Sequence, residues 1–372
     1  MRLLAAVLIL MLAGAGPAQA LTPLPPQRDD VPWPAMDWPE GPPQPDVDTA
    51  TLDGLLRRAW AESETVPGLR AVIIIHRGVL VAEGYAPGFD RNRKFLSQSV
   101  AKTVLGALAG IAVGGGTLDL DGPAPVPAWA DPGDPRHAIS IRNLLRMNDG
   151  LDFNEAYFNP FTSDVLPMLF GRARGDMAGF AASRPLKTPP GTRWSYSSGT
   201  ANLLSGIVRD AAGGTREAYL AFMKRELFDP IGMASAEPEF DAAGTFVGSS
   251  WLHATARDWA RFGLLMLRGG VWDGRRILPE GWVDFMRTPQ PDGDYGAMTW
   301  LNTRQPMRLP TIPADAFMAS GHRGQVIAMI PSKDLVVVRF GRTGYARYEA
   351  LYNWLGQVMA AFPDVSQSGV NP

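Results

Sequence analysis

Ser99 and Lys102 stand three residues apart in Phe95-Leu-Ser-Gln-Ser-Val-Ala-Lys-Thr-Val-Leu105, at the mouth of an apolar run with helical character. Ser97 is a residue type that caps helices, which predicts Ser99 in the first turn and Lys102 one turn on, along the same face. At that spacing a lysine amine reaches a serine hydroxyl. The N-terminus of a helix carries partial positive charge, which disfavours a second cation and pushes the amine towards its neutral, basic form. A neutral lysine beside a serine makes a nucleophile without histidine. Ser-x-x-Lys also arises on helices by chance, so its weight depends on partners elsewhere in the chain.

Two further clusters supply such partners. In Pro189-Pro-Gly-Thr-Arg-Trp-Ser-Tyr-Ser-Ser198, a Pro-Pro-Gly turn leads into a short polar loop carrying Tyr196. Beside a lysine, a tyrosine serves as phenolate or proton relay. In Ser320-Gly-His-Arg-Gly-Gln325, Gly321 and Gly324 permit close backbone approach just before a strand begins at Val326. An edge strand there offers an amide to a developing oxyanion. Taken singly, the tyrosine reads as a core or surface aromatic and the glycines as a turn.

The elements that must position these groups follow from hydrophobic pattern. Thr51 to Glu64 has helical spacing, and Ala71–Ile75 with Val79–Ala82 read as a hairpin around Arg77-Gly78. Near the other end, Gln325–Ile330 and Leu335–Phe340 form a second hairpin around Ser332-Lys333-Asp334, followed by a helix over about Tyr345 to Ala361. Strands at both chain ends with helices between them predict an α+β architecture: an antiparallel sheet built from both termini and flanked by helices, with a mostly helical lobe inserted over roughly 99–300. Within that lobe the Ser-x-x-Lys helix runs to Gly114-Gly115-Gly116, and Ile139 to Met147 is a short helix. Thr255-Ala-Arg-Asp258 opens another, ending at Gly269-Gly270.

Composition narrows the function classes. The formal charge is −2 with no basic block, which excludes nucleic acid and anionic membranes as expected partners. Residues 1–20 read as an export signal: Arg2, an apolar core from Leu3 to Leu12, and a cleavage site Ala18-Gln19-Ala20 cut after Ala20. That core is too short to span a bilayer, no other stretch is long enough, and Leu21 rather than cysteine follows the cut. A periplasmic or secreted protein without a lipid anchor is expected. With no cysteine, its stability rests on the core, and thiol catalysis is excluded. Residues 21–50 are proline-dense and should run extended over the surface, pinned by Trp33 and Trp38; residues 51–372 form the main domain. His76, His137, His253 and His322 are too scattered for a metal site or a conventional triad. There is no His-Glu-x-x-His, Gly-x-Ser-x-Gly or Walker A string, so neither metal nor cofactor is expected.

Taken together, the three clusters resemble the serine β-lactamase and D-Ala-D-Ala-peptidase superfamily, in its class C-like branch that includes esterases and 6-aminohexanoate-dimer hydrolases. Ser-x-x-Lys appears as Ser99 to Lys102, Tyr-x-Asn as Tyr196-Ser197-Ser198, and Lys-Thr-Gly as His322-Arg323-Gly324. Connecting segments agree, among them Ile141 to Met147 before Gly150-Leu151, and Gly324-Gln325 with Pro331 and Leu335 to Val338; the likeness covers about residues 50–362. The resemblance implies an acyl-enzyme on Ser99, with Lys102 and Tyr196 as general base and acid. It places the amides of Ser99 and Gln325 in an oxyanion hole, and Ser198, His322, Arg323 and Gly324 on the substrate. Tyr157 takes the place of a mobile substrate-contacting tyrosine. Two departures matter. Ser198 replaces an asparagine that binds substrate amide, and His322 replaces the lysine that faces a substrate carboxylate, leaving Arg323 to supply that charge. The class A glutamate and Ser-Asp-Asn pattern are not evident. The expectation is an exported serine hydrolase of small-molecule esters or non-lactam amides. A β-lactamase or D,D-carboxypeptidase, and a non-catalytic penicillin-recognition-like envelope protein, are the alternatives.

Overall fold

A computed structural model describes residues 20–365, apart from 35, 62–65, 67, 292–293 and 304–308. The export signal read over residues 1–20 therefore lies outside the described residues, except for Ala20. Helix α1 (Thr49–Ala61) precedes β1 (Leu69–His76) and β2 (Val79–Tyr85). Their tight turn holds Arg77 and Gly78 at φ 52° and 83°, the positive values that a hairpin twisted like its strands requires. A short β3 (Lys94–Leu96) then leads into α2 (Val100–Gly114). The lobe continues with α3 (Ile141–Arg146), α4 (Val165–Phe170), α5 (Met177–Ala182), α6 (Ser198–Ala211) and α7 (Arg216–Met223), followed by β4 (Glu237–Pro238) and β5 (Leu252–Thr255). Then come α8 (Ala256–Leu267), the small hairpin β6 (Val271–Trp272) and β7 (Arg275–Arg276), α9 (Trp282–Met286) and β8 (Trp300–Leu301). The chain closes with β9 (Phe317–Gly321), β10 (Gln325–Ile330), β11 (Leu335–Gly341) and α10 (Tyr348–Ala360).

The main sheet runs β2-β1-β11-β10-β9-β8, with antiparallel pairing throughout, so the N-terminal hairpin is sewn to the C-terminal one through β1 and β11. This is the α+β arrangement expected from the strand positions. The unbroken Ala-Val-Ile-Ile-Ile run of β1 makes sense because both faces are covered. Ile73 and Ile75 enter the core shared with α2 and α8, while Val72 and Ile74 enter the core beneath α1 and α10. Close packing of α8 on the sheet depends on Gly263, where a Cβ would lie 2.7 Å from a Val336 methyl. Helix α2 is apolar on nearly every side and is accordingly buried from Val100 to Gly110.

The capping expected of Ser97 is not what forms. Ser99 is the N-cap residue of α2, while the buried Ser97 hydroxyl donates to the Ser250 carbonyl and accepts from the Leu252 amide. The short strand β5 competes for Ser97 and wins. Thr255 does cap α8, accepting from the Asp258 amide. Strand β9 has no counterpart in the sequence reading. Its Ala-Ser-Gly end has weak strand propensity and is held by pairing with β10.

Candidate active site

Lys102 lies one helical turn beyond Ser99, and its side chain is almost wholly buried. Its Nζ donates to Ser99 Oγ at 3.2 Å, to Ser198 Oγ at 3.1 Å and to the Ser249 carbonyl at 2.8 Å. Three acceptors match the three protons of an ammonium, yet burial favours the neutral amine and lowers the pKa to about 8, with the Glu155 charge pulling the other way. The same Nζ is 4.8 Å from the centre of the Tyr196 ring.

Tyr196 is delivered by a loop fixed at both ends. Gly191, at φ 80°, donates its amide to the Asn148 carbonyl at 2.7 Å, and the Ser195 amide reaches the Met147 carbonyl at 2.8 Å. Ser197 then caps α6. The Tyr196 ring stacks on Trp300 at 5.3 Å and meets Tyr295 edge-on at 6.0 Å. Burial raises the pKa of its phenol, with Glu155 adding to the effect and a hydrogen bond with Ser99 opposing it. The phenol is therefore a proton carrier at neutral pH, not a phenolate.

Glu155 ties the site together and was not singled out in the sequence. Its carboxylate accepts from the Ser198 amide at 2.8 Å, from Ser198 Oγ at 2.6 Å and from the Tyr157 hydroxyl at 2.7 Å. Ser198 is the first residue of α6, so an anion here also meets the positive end of a fourteen-residue helix. A single carboxylate in an aperiodic loop gives no spacing signal; its one clue is its place two residues before Tyr157.

The third cluster needs correction. The residue packed against the nucleophile is Gly321, where a Cβ would fall 2.7 Å from the Ser97 carbonyl oxygen and 3.0 Å from the Ser99 nitrogen. Strand β9 thus brings Ala319-Ser320-Gly321 beside Ser99, three residues earlier than His322-Arg323-Gly324. Gly324 faces the other way, packed on Leu351 and Arg339. Gln325 is buried on β10, its side-chain Nε2 donating to the His322 and Gly341 carbonyls at 3.0 and 2.7 Å. Arg323 is not among the residues lining the cleft at Ser99; it lines a depression beside Gln98 and, with Tyr157, His322 and Tyr345, a hollow adjoining the cleft. His322 does line the cleft. Its Nδ1 bonds the Tyr345 hydroxyl at 2.9 Å, its Nε2 accepts from Arg323 Nε at 3.2 Å, and partial burial together with Arg323 lowers its pKa. The ring is neutral at pH 7.

Ser99, Tyr157, Tyr196, Trp300, His322 and Tyr345 surround one cleft with a free volume of about 180 Å³. Distant sequence clusters therefore meet: Ser99 and the neutral phenol of Tyr196 share one opening, with the Lys102 amine buried against Ser99. The beta-lactamase family profile matches residues 52–356. The chain belongs to the beta-lactamase family. The 6-aminohexanoate-dimer hydrolase of Paenarthrobacter ureafaciens is 26% identical over 292 residues, covering 72% of this chain and 71% of the relative. A Bacillus anthracis protein named, provisionally, a 6-aminohexanoate-dimer hydrolase shares the fold at a TM-score of 0.68 and 20% identity, over 91% of this chain and 90% of its own. A class C beta-lactamase in complex with cefoxitin superposes at a TM-score of 0.62 and 16% identity, over 84% and 98%. Among the described residues no group of acidic or histidine side chains is placed to hold a metal, and no helix is long and apolar enough to cross a membrane.

Proposed function

We propose that this beta-lactamase-family protein is an exported serine hydrolase that cleaves linear amides or esters through an acyl-enzyme on Ser99. The observation that carries the reading is the 3.2 Å contact between Ser99 Oγ and a fully buried amine whose pKa is lowered to about 8. At pH 7 about one lysine in ten is then neutral. Ser99 Oγ attacks the substrate carbonyl carbon and gives its proton to Lys102. The oxygen that gains charge is met by two backbone amides, of Ser99 and of His322, which follows Gly321. Neither amide has an acceptor among the described residues, and Gly321 brings the two chain segments together. On this reading His322, not Gln325, is the second donor. The neutral Tyr196 phenol donates to the departing nitrogen or oxygen and is reprotonated by Lys102. Water then attacks the ester, losing a proton to the same pair, and Ser99 is released.

A cleft walled by aromatic rings suits an apolar acyl chain, and the relative named as a hydrolase of the 6-aminohexanoate dimer points to a linear amide. Tyr157 lines the cleft and bonds Glu155 through its hydroxyl, which supports a contact with such a substrate. Turnover of β-lactams or D,D-peptides is disfavoured because, among the described residues, the lysine position of the third motif is taken by the buried Ala319, His322 is neutral, and Arg323 is not among the residues lining the cleft at Ser99. A purely binding role is disfavoured by the assembled serine–lysine contact. The export signal at residues 1–20 supports a periplasmic or secreted location. The test is mass spectrometry after treatment with a fluorophosphonate or p-nitrophenyl ester. An adduct on Ser99 that is absent in Ser99→Ala is expected; no adduct on the intact protein would overturn the assignment.

A further inference from the structure

Arg323 lines a depression beside Gln98, the residue that precedes the nucleophile. Its free volume, about 510 Å³, exceeds that of the cleft. Arg70, Arg93, Lys94, Arg323, Arg342 and His253 line it, and no acidic residue does. Lys94 and His253 are balanced by Glu237 and Glu239 just outside. The four arginines form no ion pair among the described residues, although most arginines elsewhere on α8 and in the lobe do, including Arg136, Arg142, Arg184, Arg257, Arg261 and Arg268. Arg70 is steadied over the Phe89 ring at 5.0 Å. Fully buried Arg339 adds positive charge beneath the turn, donating to the Arg323 and Gly324 carbonyls.

Four uncompensated guanidinium groups around one hollow repel one another, in a protein whose overall formal charge is −2. Such an arrangement is relieved by an anion, and guanidinium forks match carboxylate and phosphate oxygens two at a time. We propose that this depression is a binding site for a small multivalent anion bearing clustered phosphates or carboxylates. Gln98, which lines the hollow, immediately precedes Ser99 and contacts Gly321, so an anion bound here adjoins the backbone of the catalytic serine. Binding itself does not depend on hydrolysis.

The test titrates the full chain in low-salt buffer with pyrophosphate and, separately, citrate, read by calorimetry and thermal unfolding. Saturable one-site binding with an upward shift in Tm is expected in the wild type and equally in Ser99→Ala, which keeps the outcome separate from the catalytic assignment. Arg70→Gln and Arg342→Gln should each bind about tenfold more weakly. Arg93→Gln, at an exposed position, repeats the test where folding is not at risk. Arg57→Gln, on the exposed face of α1, should bind as the wild type does. Tighter binding of pyrophosphate assigns a phosphate-type ligand and tighter binding of citrate a polycarboxylate. Absence of saturable binding, or equal affinity in all the arginine variants, overturns the proposal.

Discussion

Lys102 is kept at a balance point. Burial strips its ammonium of water and lowers its pKa, while Glu155, reaching the same Ser198 hydroxyl, holds the pKa up. Its protonation at working pH therefore reports on both neighbours. The base form lies above the pKa, so kcat/KM should rise about tenfold per pH unit below 8 and level off above it. In Glu155→Gln the charge that raises the lysine pKa is gone, so the rising limb should move to lower pH; a pH–rate profile measures it, and an unmoved limb would separate Glu155 from the base. Because Ser99 and Lys102 act on one proton, Ser99→Ala and Lys102→Ala should each lower kcat/KM by about 10²–10⁴ or more, with the double variant no worse than either alone. Single-turnover acylation at the wild-type rate in Lys102→Ala would refute the assignment of the base.

Elements matter where two of them touch. Strand β9 meets the N-terminus of α2 at Gly321, and a methyl group there would strike the Ser97 carbonyl and the Ser99 amide. Gly321→Ala should leave the fold intact yet push β9 back from the nucleophile. The expected loss in kcat is about 10²–10³, the scale of removing one oxyanion donor, checked by steady-state kinetics beside an unchanged circular dichroism spectrum. Gly324→Ala would instead strike Leu351 of α10 and the Arg339 guanidinium. This contrast also marks what the sequence could tell. Hairpins such as Val79 to Tyr85 on β1, and the Thr255 cap on α8, are legible because their signals are local: alternation, a turn residue, a capping hydroxyl. Strand β9 is not, since Phe-Met-Ala-Ser-Gly becomes a strand only when β10 lies beside it. The same blindness displaced the glycine motif by three residues, because two glycines in one turn are equivalent until one is seen to face Ser99. Ser97 failed for a related reason, as its hydroxyl is claimed by residues 250 and 252, far along the chain.

At the scale of the whole molecule, the chain has no cysteine, and long-range ties of other kinds join its ends to its middle. Arg268, at the C-terminal end of α8, is one of these ties. It donates to the Asp334 carboxylate in the turn between β10 and β11, to the Pro25 carbonyl and to the Gln27 side chain. Both charges of the Arg268–Asp334 pair are out of solvent. One arginine thus links the proline-rich segment, the inserted lobe and the C-terminal hairpin, three parts that hydrophobic pattern alone leaves unconnected. Substitution by alanine strands a buried carboxylate and two backbone or amide acceptors, which should destabilise the protein by about 3–5 kcal/mol. Urea unfolding should show a lower midpoint with an unchanged slope, since the area exposed on unfolding is nearly the same. The pair lies at the opposite end of β10 from Gly321, which packs against Ser99, so kcat/KM measured well below the transition should stay at the wild-type level. Arg268→Met, which fills the volume but still leaves Asp334 unpaired, should recover little of the loss. The double change Arg268→Met with Asp334→Asn should recover most of it, because what destabilises the single variants is the uncompensated charge and not the missing attraction.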